Sequence, residues 1–166
     1  MAVRPVLRYP NAFLKRPADP VDRVTPALRA MASDLVDTMR ASPATVGLAA
    51  PQVGESVRAF VLDVTGHPRA ATSHGLVVLF DPRIVDAAGG EIRREGCLSL
   101  PDLTADVRRP TRIALEGLAP EGDRRTVTME GFEARAALHE VDHLDGLLIV
   151  DRADSADALF PRRVYL

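Results

Sequence analysis

The feature that most constrains this chain is a pair of histidines four residues apart, in the segment His139-Glu-Val-Asp-His143. On a helix, positions i and i+4 lie on one face, so both imidazoles can reach the same metal ion. Glu140 lies on a neighbouring flank, where its carboxylate can hold a water without binding the ion. Phe132 and Ala136 precede His139 on the same stripe, which predicts histidines that point into the protein. The alternative is a solvated amphipathic helix that carries two histidines.

A third ligand decides what kind of metal site this is. The position six residues after His143, where a metzincin has a further histidine, is Ile149, and no glutamate follows Glu140, as a thermolysin-like site would need. The remaining soft ligand is Cys97, which lies upstream. One thiolate and two imidazoles leave a fourth position for water, as in catalytic sites. Taken alone, however, a single cysteine is more often a buried core residue. Spacing therefore leaves two interpretations of Cys97 open, a metal ligand and a core residue.

Composition narrows the classes of partner. The 166 residues suffice for one core, and we expect residues 1–166 to form a single domain. A net charge of −2 gives no electrostatic case for binding DNA or RNA. The apolar runs are too short to cross a bilayer, and the first residues lack the apolar core of a signal peptide. One cysteine excludes an internal disulfide and fits a reducing compartment. We therefore expect a cytoplasmic protein with no membrane partner.

Helical signals occur near both ends of the chain. Thr25 can cap a helix that has Pro26 in its first turn and apolar residues at helical spacing to about Arg40. A second helix is expected from Phe132 to Asp145, which contains the histidine pair and stops at Gly146.

Strand signals fill the middle of the chain. Strands are expected at 57–64 and 76–85, with a turn at 86–90, and a hairpin is expected from 113–118 and 125–129. Strands that cluster between helices, without βαβ alternation, indicate an α+β fold. The remaining segments have weaker signals: residues 1–23 are expected to be extended, 46–54 to be a loop, His67 and His74 to be solvated, and 153–166 has no clear pattern.

Three separated segments resemble the signature motifs of peptide deformylases. In chain order they are Gly47-Leu-Ala-Ala-Pro-Gln-Val-Gly54, Glu95-Gly-Cys-Leu-Ser-Leu-Pro101 and His139-Glu-Val-Asp-His-Leu-Asp-Gly146. Their order and spacing also fit, and looser similarity extends from about Val6 to Asp151. The resemblance implies an α+β fold in which antiparallel sheets pack around a central HExxH metal-binding helix, which agrees with the pattern of predicted elements.

The same resemblance implies the ligands of a metal ion and a general acid/base. Cys97, His139 and His143 would bind the metal, and Glu140 would move protons. The metal implied by the family is Fe²⁺, and Zn²⁺, Ni²⁺ or Co²⁺ could occupy the same ligands.

Further positions that match the motifs would contact the substrate. Gln52, through its side-chain amide, and Leu98, through its backbone N–H, would hydrogen-bond the oxygen of the tetrahedral intermediate. Gly47 would offer its backbone to the bound peptide. The small and apolar positions Val46 and Ala136 could line a pocket for a methionine side chain.

The function implied by the resemblance is metal-dependent removal of the N-formyl group from the first methionine of new polypeptides, with release of formate. The implied partners are the formyl-methionyl nascent peptide and the ribosome near its exit tunnel. Two other functions remain open: a related metalloamidase that acts on another N-acyl group, and a non-catalytic module of the same fold that binds nascent chains or ribosomes. Leu138, where many members have glutamine, and the short tail after Arg152 depart from the family pattern.

Overall fold

Helices and strands alternate irregularly along the chain, whose computed structural model describes residues 2–162. The strands are β1 (Gly47–Ala49), β2 (Ala59–Leu62), β3 (Val77–Ala88), β4 (Glu91–Cys97), β5 (Leu100–Arg109), β6 (Arg112–Leu118), β7 (Arg124–Glu130) and β8 (Leu159–Pro161). The α-helices are α1 (Pro26–Ala41), α2 (Gly131–Leu144) and α3 (Ile149–Arg152), and short 3-10 helices span Ala12–Lys15, Ala50–Val53 and Ala156–Ala158.

The strands form two antiparallel sheets, one in the order β1-β2-β3-β6-β7 and one in the order β4-β5-β8. Helix α2 packs on the larger sheet through a buried core that includes Phe60, Leu62, Leu115, Val141 and Leu144. Each such side chain contributes about 1.5–3 kcal/mol when it leaves water. The α+β architecture, with antiparallel sheets around the histidine-bearing helix, is therefore confirmed.

The two longer helices begin and end for the reasons that their sequences indicate. The Thr25 hydroxyl accepts a hydrogen bond from the N–H of Leu28 at 3.2 Å and so caps α1. Gly146 follows α2 at a φ of +75°, and a Cβ there would lie 2.8 Å from the carbonyl oxygen of Lys15. Glycine is thus required at this position both for the left-handed turn and for the close approach of the N-terminal segment. Both predicted helices are confirmed to within one residue at each end.

The strand predictions are correct in part. The hairpin of β6 and β7 is confirmed, and β2 and β3 fall on the predicted segments, although β3 continues to Ala88 through the expected turn. The prediction of a loop at 46–54 is wrong, because Gly47–Ala49 pairs with β2 and the next four residues form a 3-10 helix. These small residues have little intrinsic strand preference, so tertiary pairing decides their conformation.

The second sheet was not predicted. Strand β4 is mostly charged, and its side chains alternate too weakly between apolar and polar for a strand signal. The tail, for which no structure was predicted, contributes β8, which pairs with β5 at Leu103–Ala105; its residues 163–166 lie outside the described part. Along residues 2–162, no helix combines the length and the apolar character that crossing a membrane requires.

Candidate metal centre and active site

The three predicted metal ligands meet at one point, although they come from different elements. His139 and His143 lie one turn apart on α2, and Cys97 is the last residue of β4. One ligand atom from each lies within 4.8 Å of the others, and Cys97 Sγ is 3.3 Å from His143 Nε2. A thiolate and two imidazoles in this arrangement form a site that can hold one metal ion and leave a further position open.

The surroundings of the three residues also fit a cation. Cys97 and His143 are buried, with exposed fractions of 5% and 1%. Glu140 is buried beside them, and its Oε2 has no hydrogen-bond partner among residues 2–162. A buried carboxylate without a partner is costly, and a cation held by the neighbouring ligands would offset its charge.

The pKa values of Glu140 and Cys97 are shifted in directions that suit their predicted roles as general base and metal ligand. Burial raises the pKa of the Glu140 carboxyl above its ordinary value. Burial would also raise the pKa of the Cys97 thiol, but the adjacent His143 and His139 outweigh it and lower that pKa well below its ordinary value. This shift favours the thiolate, which is the form that binds metals.

A buried ionic network orients one of the histidines. The pKa of Glu95 is about 2 because, although burial opposes ionisation, His139 and Arg109 stabilise the carboxylate. Glu95 therefore accepts hydrogen bonds, from His139 Nδ1 at 3.0 Å, from Arg109 at 2.7 and 2.9 Å and from Arg135 at 2.6 Å. Because Nδ1 donates to Glu95, Nε2 of His139 is free to bind a metal.

Arg109 and Arg135 were not identified from the sequence. Arg109 lies on β5 and also donates to Asp142 of α2 at 2.8 Å, so the network ties the second sheet to the helix. Arg135 lies one turn before His139 and also donates to the carbonyl oxygens of Val107 and Glu91 at 2.9 and 2.7 Å. No sequence signal distinguishes these arginines from solvated ones, because their partners are distant along the chain.

Gln52 is held rigidly next to the cysteine. Its side chain is buried at the 3-10 helix that follows β1, and Oε1 accepts a hydrogen bond from the N–H of Ala49 at 3.0 Å. Nε2 donates to Ser99 Oγ at 3.1 Å and lies 3.8 Å from Cys97 Sγ. With one amide proton engaged by Ser99, the other is directed toward the centre.

Leu98 and Ser99 form the tight turn between β4 and β5, in which Cys97 pairs with Leu100. The half-buried side chain of Leu98 packs against the core around α1. Its backbone N–H immediately follows the candidate thiolate ligand, so it lies at the edge of the site.

A cleft of about 420 Å³ opens onto these groups. With the exception of His143, which lies deeper, it is lined by all the predicted site residues: Val46, Gly47, Gln52, Cys97, Leu98, Ala136, His139 and Glu140. Gly47 and Glu140 are in close contact, because a Cβ on Gly47 would lie only 2.6 Å from Glu140 Oε1. The absence of a side chain at residue 47 thus leaves room for the carboxylate.

The expectation that His67 is merely solvated is wrong. Its ring stacks on Phe132, with centroids 4.1 Å apart and planes within 8°, and both residues line the cleft. His74 is 45% exposed, as expected, but it also contacts the buried carboxylate of Glu133 at 2.9 Å. A histidine in a loop of Gly, Pro and Ser carries no local sign of such distant partners.

Comparison with known proteins identifies the family. The family model for polypeptide deformylase matches residues 3–158. A peptide deformylase of Desulforudis audaxviator is 42% identical over 155 residues, which cover 92% of this chain and 95% of that protein. Among solved structures, the peptide deformylase of Thermotoga maritima has a TM-score of 0.84 and 33% identity, covering 93% of this chain and 100% of the other. A Met-Ala-Ser-bound peptide deformylase of Acinetobacter baumannii has a TM-score of 0.84 and 33% identity, covering 92% and 100%. The chain belongs to the polypeptide deformylase family.

Proposed function

We propose that the chain carries out the hydrolysis of its family in this cleft, with Cys97, His139 and His143 as the metal ligands. The chain is a metal-dependent hydrolase that removes the N-formyl group from methionyl peptides and releases formate. The observation that carries the assignment of the site is the convergence of these three ligand atoms at one point beside a cleft that Glu140 and Gln52 line.

We propose Fe²⁺ as the native metal, with Zn²⁺, Ni²⁺ and Co²⁺ able to occupy the same ligands. A thiolate with two imidazoles suits borderline-soft divalent ions of this group. When bound, such an ion polarises the formyl oxygen and makes a water more acidic.

Glu140 is proposed to move the proton. Its carboxyl is buried beside the ligands, and burial raises its pKa, which makes the carboxylate a stronger base than an exposed one. It takes a proton from the attacking water and delivers it to the departing amine. Gly47 leaves the space that the carboxylate needs for this position.

Gln52 and the backbone N–H of Leu98 are proposed to stabilise the oxyanion. The Gln52 amide is fixed by Ala49 and Ser99 before substrate arrives, so it does not reorganise when charge develops. One such donor typically contributes about 3 kcal/mol to transition-state stabilisation.

The substrate is proposed to bind in extended form between two open strand edges. Among the described residues, β1 and β4 are each paired on one side only, and both strands contribute residues to the cleft. An extended peptide can hydrogen-bond with such an edge, and Gly47 would offer its backbone there. Val46 and Ala136 would line the pocket for the methionine side chain. The Met-Ala-Ser bound to the similar Acinetobacter baumannii enzyme supports this class of ligand.

We also propose that residues 1–166 act as one catalytic domain in the cytoplasm, on nascent chains that leave the ribosomal exit tunnel. Family membership supports this setting because formyl-methionine is made for translation. The alternative functions, a metalloamidase for another acyl group or a non-catalytic binding module, have no support from the relatives, which are peptide deformylases.

The decisive experiment measures formate release from formyl-Met-Ala-Ser by protein purified anaerobically with Fe²⁺. Acetyl-Met-Ala-Ser serves as the control, since only a permissive site accepts the extra methyl group. Formate release with little acetate release is expected. Metal-loaded, folded protein that releases no formate would contradict the proposal.

A further inference from the structure

The mouth of the cleft is rich in arginine. Four arginines line it: Arg69, Arg94, Arg135 and Arg162. The acidic residues that line it are Glu95 and Glu140, and both are buried near the candidate metal ligands. The inner wall and the rim of the cleft therefore differ in charge, which would affect any peptide that leaves the site.

Two of the arginines are already neutralised by partners. Arg135 donates to Glu95 at 2.6 Å. Arg94 donates to Asp106 at 2.7 Å, and its guanidinium lies 3.5 Å from the ring centroid of Phe160 on β8. These contacts hold both side chains in place and leave little free charge on either.

The other two arginines have no such partners. Within residues 2–162, neither Arg69 nor Arg162 has a side-chain hydrogen bond or ion pair, and both side chains are exposed. Arg162 lies against the β4 wall, since a Cβ on Gly96 would be 3.5 Å from its Nη1. Strand β8 brings it there by pairing with β5. Arg69 follows His67, which stacks on Phe132 at the same cleft.

From this arrangement we infer that Arg69 and Arg162 form a carboxylate subsite, which favours formyl-methionyl peptides with an acidic side chain at the second or third residue. The inference rests on the proposed function. An extended chain advances about 3.3 Å per residue, so the two residues after methionine leave the centre along the rim. An arginine guanidinium matches a carboxylate in geometry and charge.

The test uses pairs of C-terminally amidated peptides, in which the only carboxylate is a side chain. Formyl-Met-Asp-Ala-NH₂ is compared with its Asn counterpart, and formyl-Met-Ala-Asp-NH₂ with its Asn counterpart. We expect kcat/KM to be about 3- to 10-fold higher for Asp at one or both positions at low salt, because exposed ion pairs are individually weak. The ratio should decline toward 1 as salt rises.

Variants assign the preference to its residues. In the double variant Arg69→Gln/Arg162→Gln, the Asp/Asn ratio should fall to about 1, whereas the matched control Arg29→Gln, at an exposed arginine on α1 that does not line the cleft, should keep the ratio. Formyl-Met-Ala-Ala as free acid and as amide shows whether a terminal carboxylate occupies the same subsite.

A binding measurement separates this inference from the proposed function. Calorimetry with the zinc-loaded chain of residues 1–166 compares unformylated Met-Ala-Asp-NH₂ and Met-Asp-Ala-NH₂ with their Asn counterparts, and it requires no turnover. Tighter binding of an Asp peptide that is lost in the double variant supports the subsite even if no formate is released. Equal affinities and equal kcat/KM values for Asp and Asn, or a preference that persists in the double variant, would overturn it.

Discussion

The contact between Gly47 and Glu140 allows a sharp test of the active-site geometry. In Gly47→Ala the new methyl group would lie 2.6 Å from Glu140 Oε1 and 3.0 Å from its Cδ and Cγ. Ordinary contact begins at 3.4 Å, so the carboxylate must move by about 0.8 Å. Because a misplacement of about 1 Å can cost about 10²-fold in rate, we expect kcat to fall by roughly 10- to 100-fold.

The same change should leave the rest of the molecule intact. Residue 47 has no positive φ, and it is not one of the proposed metal ligands, so folding and metal content are expected to be unchanged. Gly90→Ala is the matched control, since the nearest atom to its Cβ is 3.9 Å away. Single-turnover formate release at saturating substrate, together with elemental analysis, measures the effect. A metal-replete Gly47→Ala variant with a kcat within twofold of the parent would refute the assigned position of the base.

Four further changes test the site from other directions. Glu140→Ala should keep the metal but lose about 10²–10⁴-fold in turnover, because no group remains to move the proton; a near-normal single-turnover rate would exclude the role. Gln52→Leu should lower kcat about 10²–10³-fold with a smaller change in KM, whereas a change in KM alone would indicate substrate positioning. Cys97→Ala should reduce metal content, as elemental analysis would show, and unchanged occupancy would remove the cysteine from the ligand set. Glu95→Gln should lower the free energy of unfolding at pH 7 by about 3 kcal/mol, because the pKa of Glu95 is about 2 in the folded protein and 4.5 for an unperturbed glutamate. Since the folded-state pKa is depressed, the difference in unfolding free energy between parent and variant is complete above about pH 4.5 and should vanish as pH falls toward 2. Denaturant unfolding at several pH values would show whether it does.

The features that sequence reasoning captured are those encoded locally. Helix α1 has its cap, its proline and its apolar stripe within one short segment, and α2 has its histidine spacing and its terminal glycine. Histidines at i and i+4 must share a face of a helix, so two candidate ligands could be named from geometry. Cys97 could be named only as the remaining soft ligand, because its distance from the histidines depends on the fold; the motif resemblance then implied that it binds the metal.

The features that were missed depend on distant partners. Strand β4 has a run of charged residues that is typical of a solvated segment, but its Glu95 is buried because Arg109 and Arg135 reach it from β5 and α2. His67 lies in a segment whose composition is typical of a loop, and its ring stacks on Phe132 only in the folded chain. Local patterns carry no information about such pairings, since each residue alone resembles an ordinary surface residue.

The buried network connects the stability of the fold to the chemistry of the site. Removing one partner from a buried ionic cluster leaves a charge without compensation. The free-energy cost of that buried charge exceeds the net stabilisation that the intact cluster provides. Arg109 and Arg135 stabilise the ionised form of Glu95, and this carboxylate accepts the hydrogen bond from His139 Nδ1 that leaves Nε2 to bind a metal. Arg109 in turn contacts Asp142 on α2. The arginines that hold the second sheet against the helix thus also support the carboxylate that orients His139, so the packing of β4 and β5 on α2 is coupled to the geometry of the metal site.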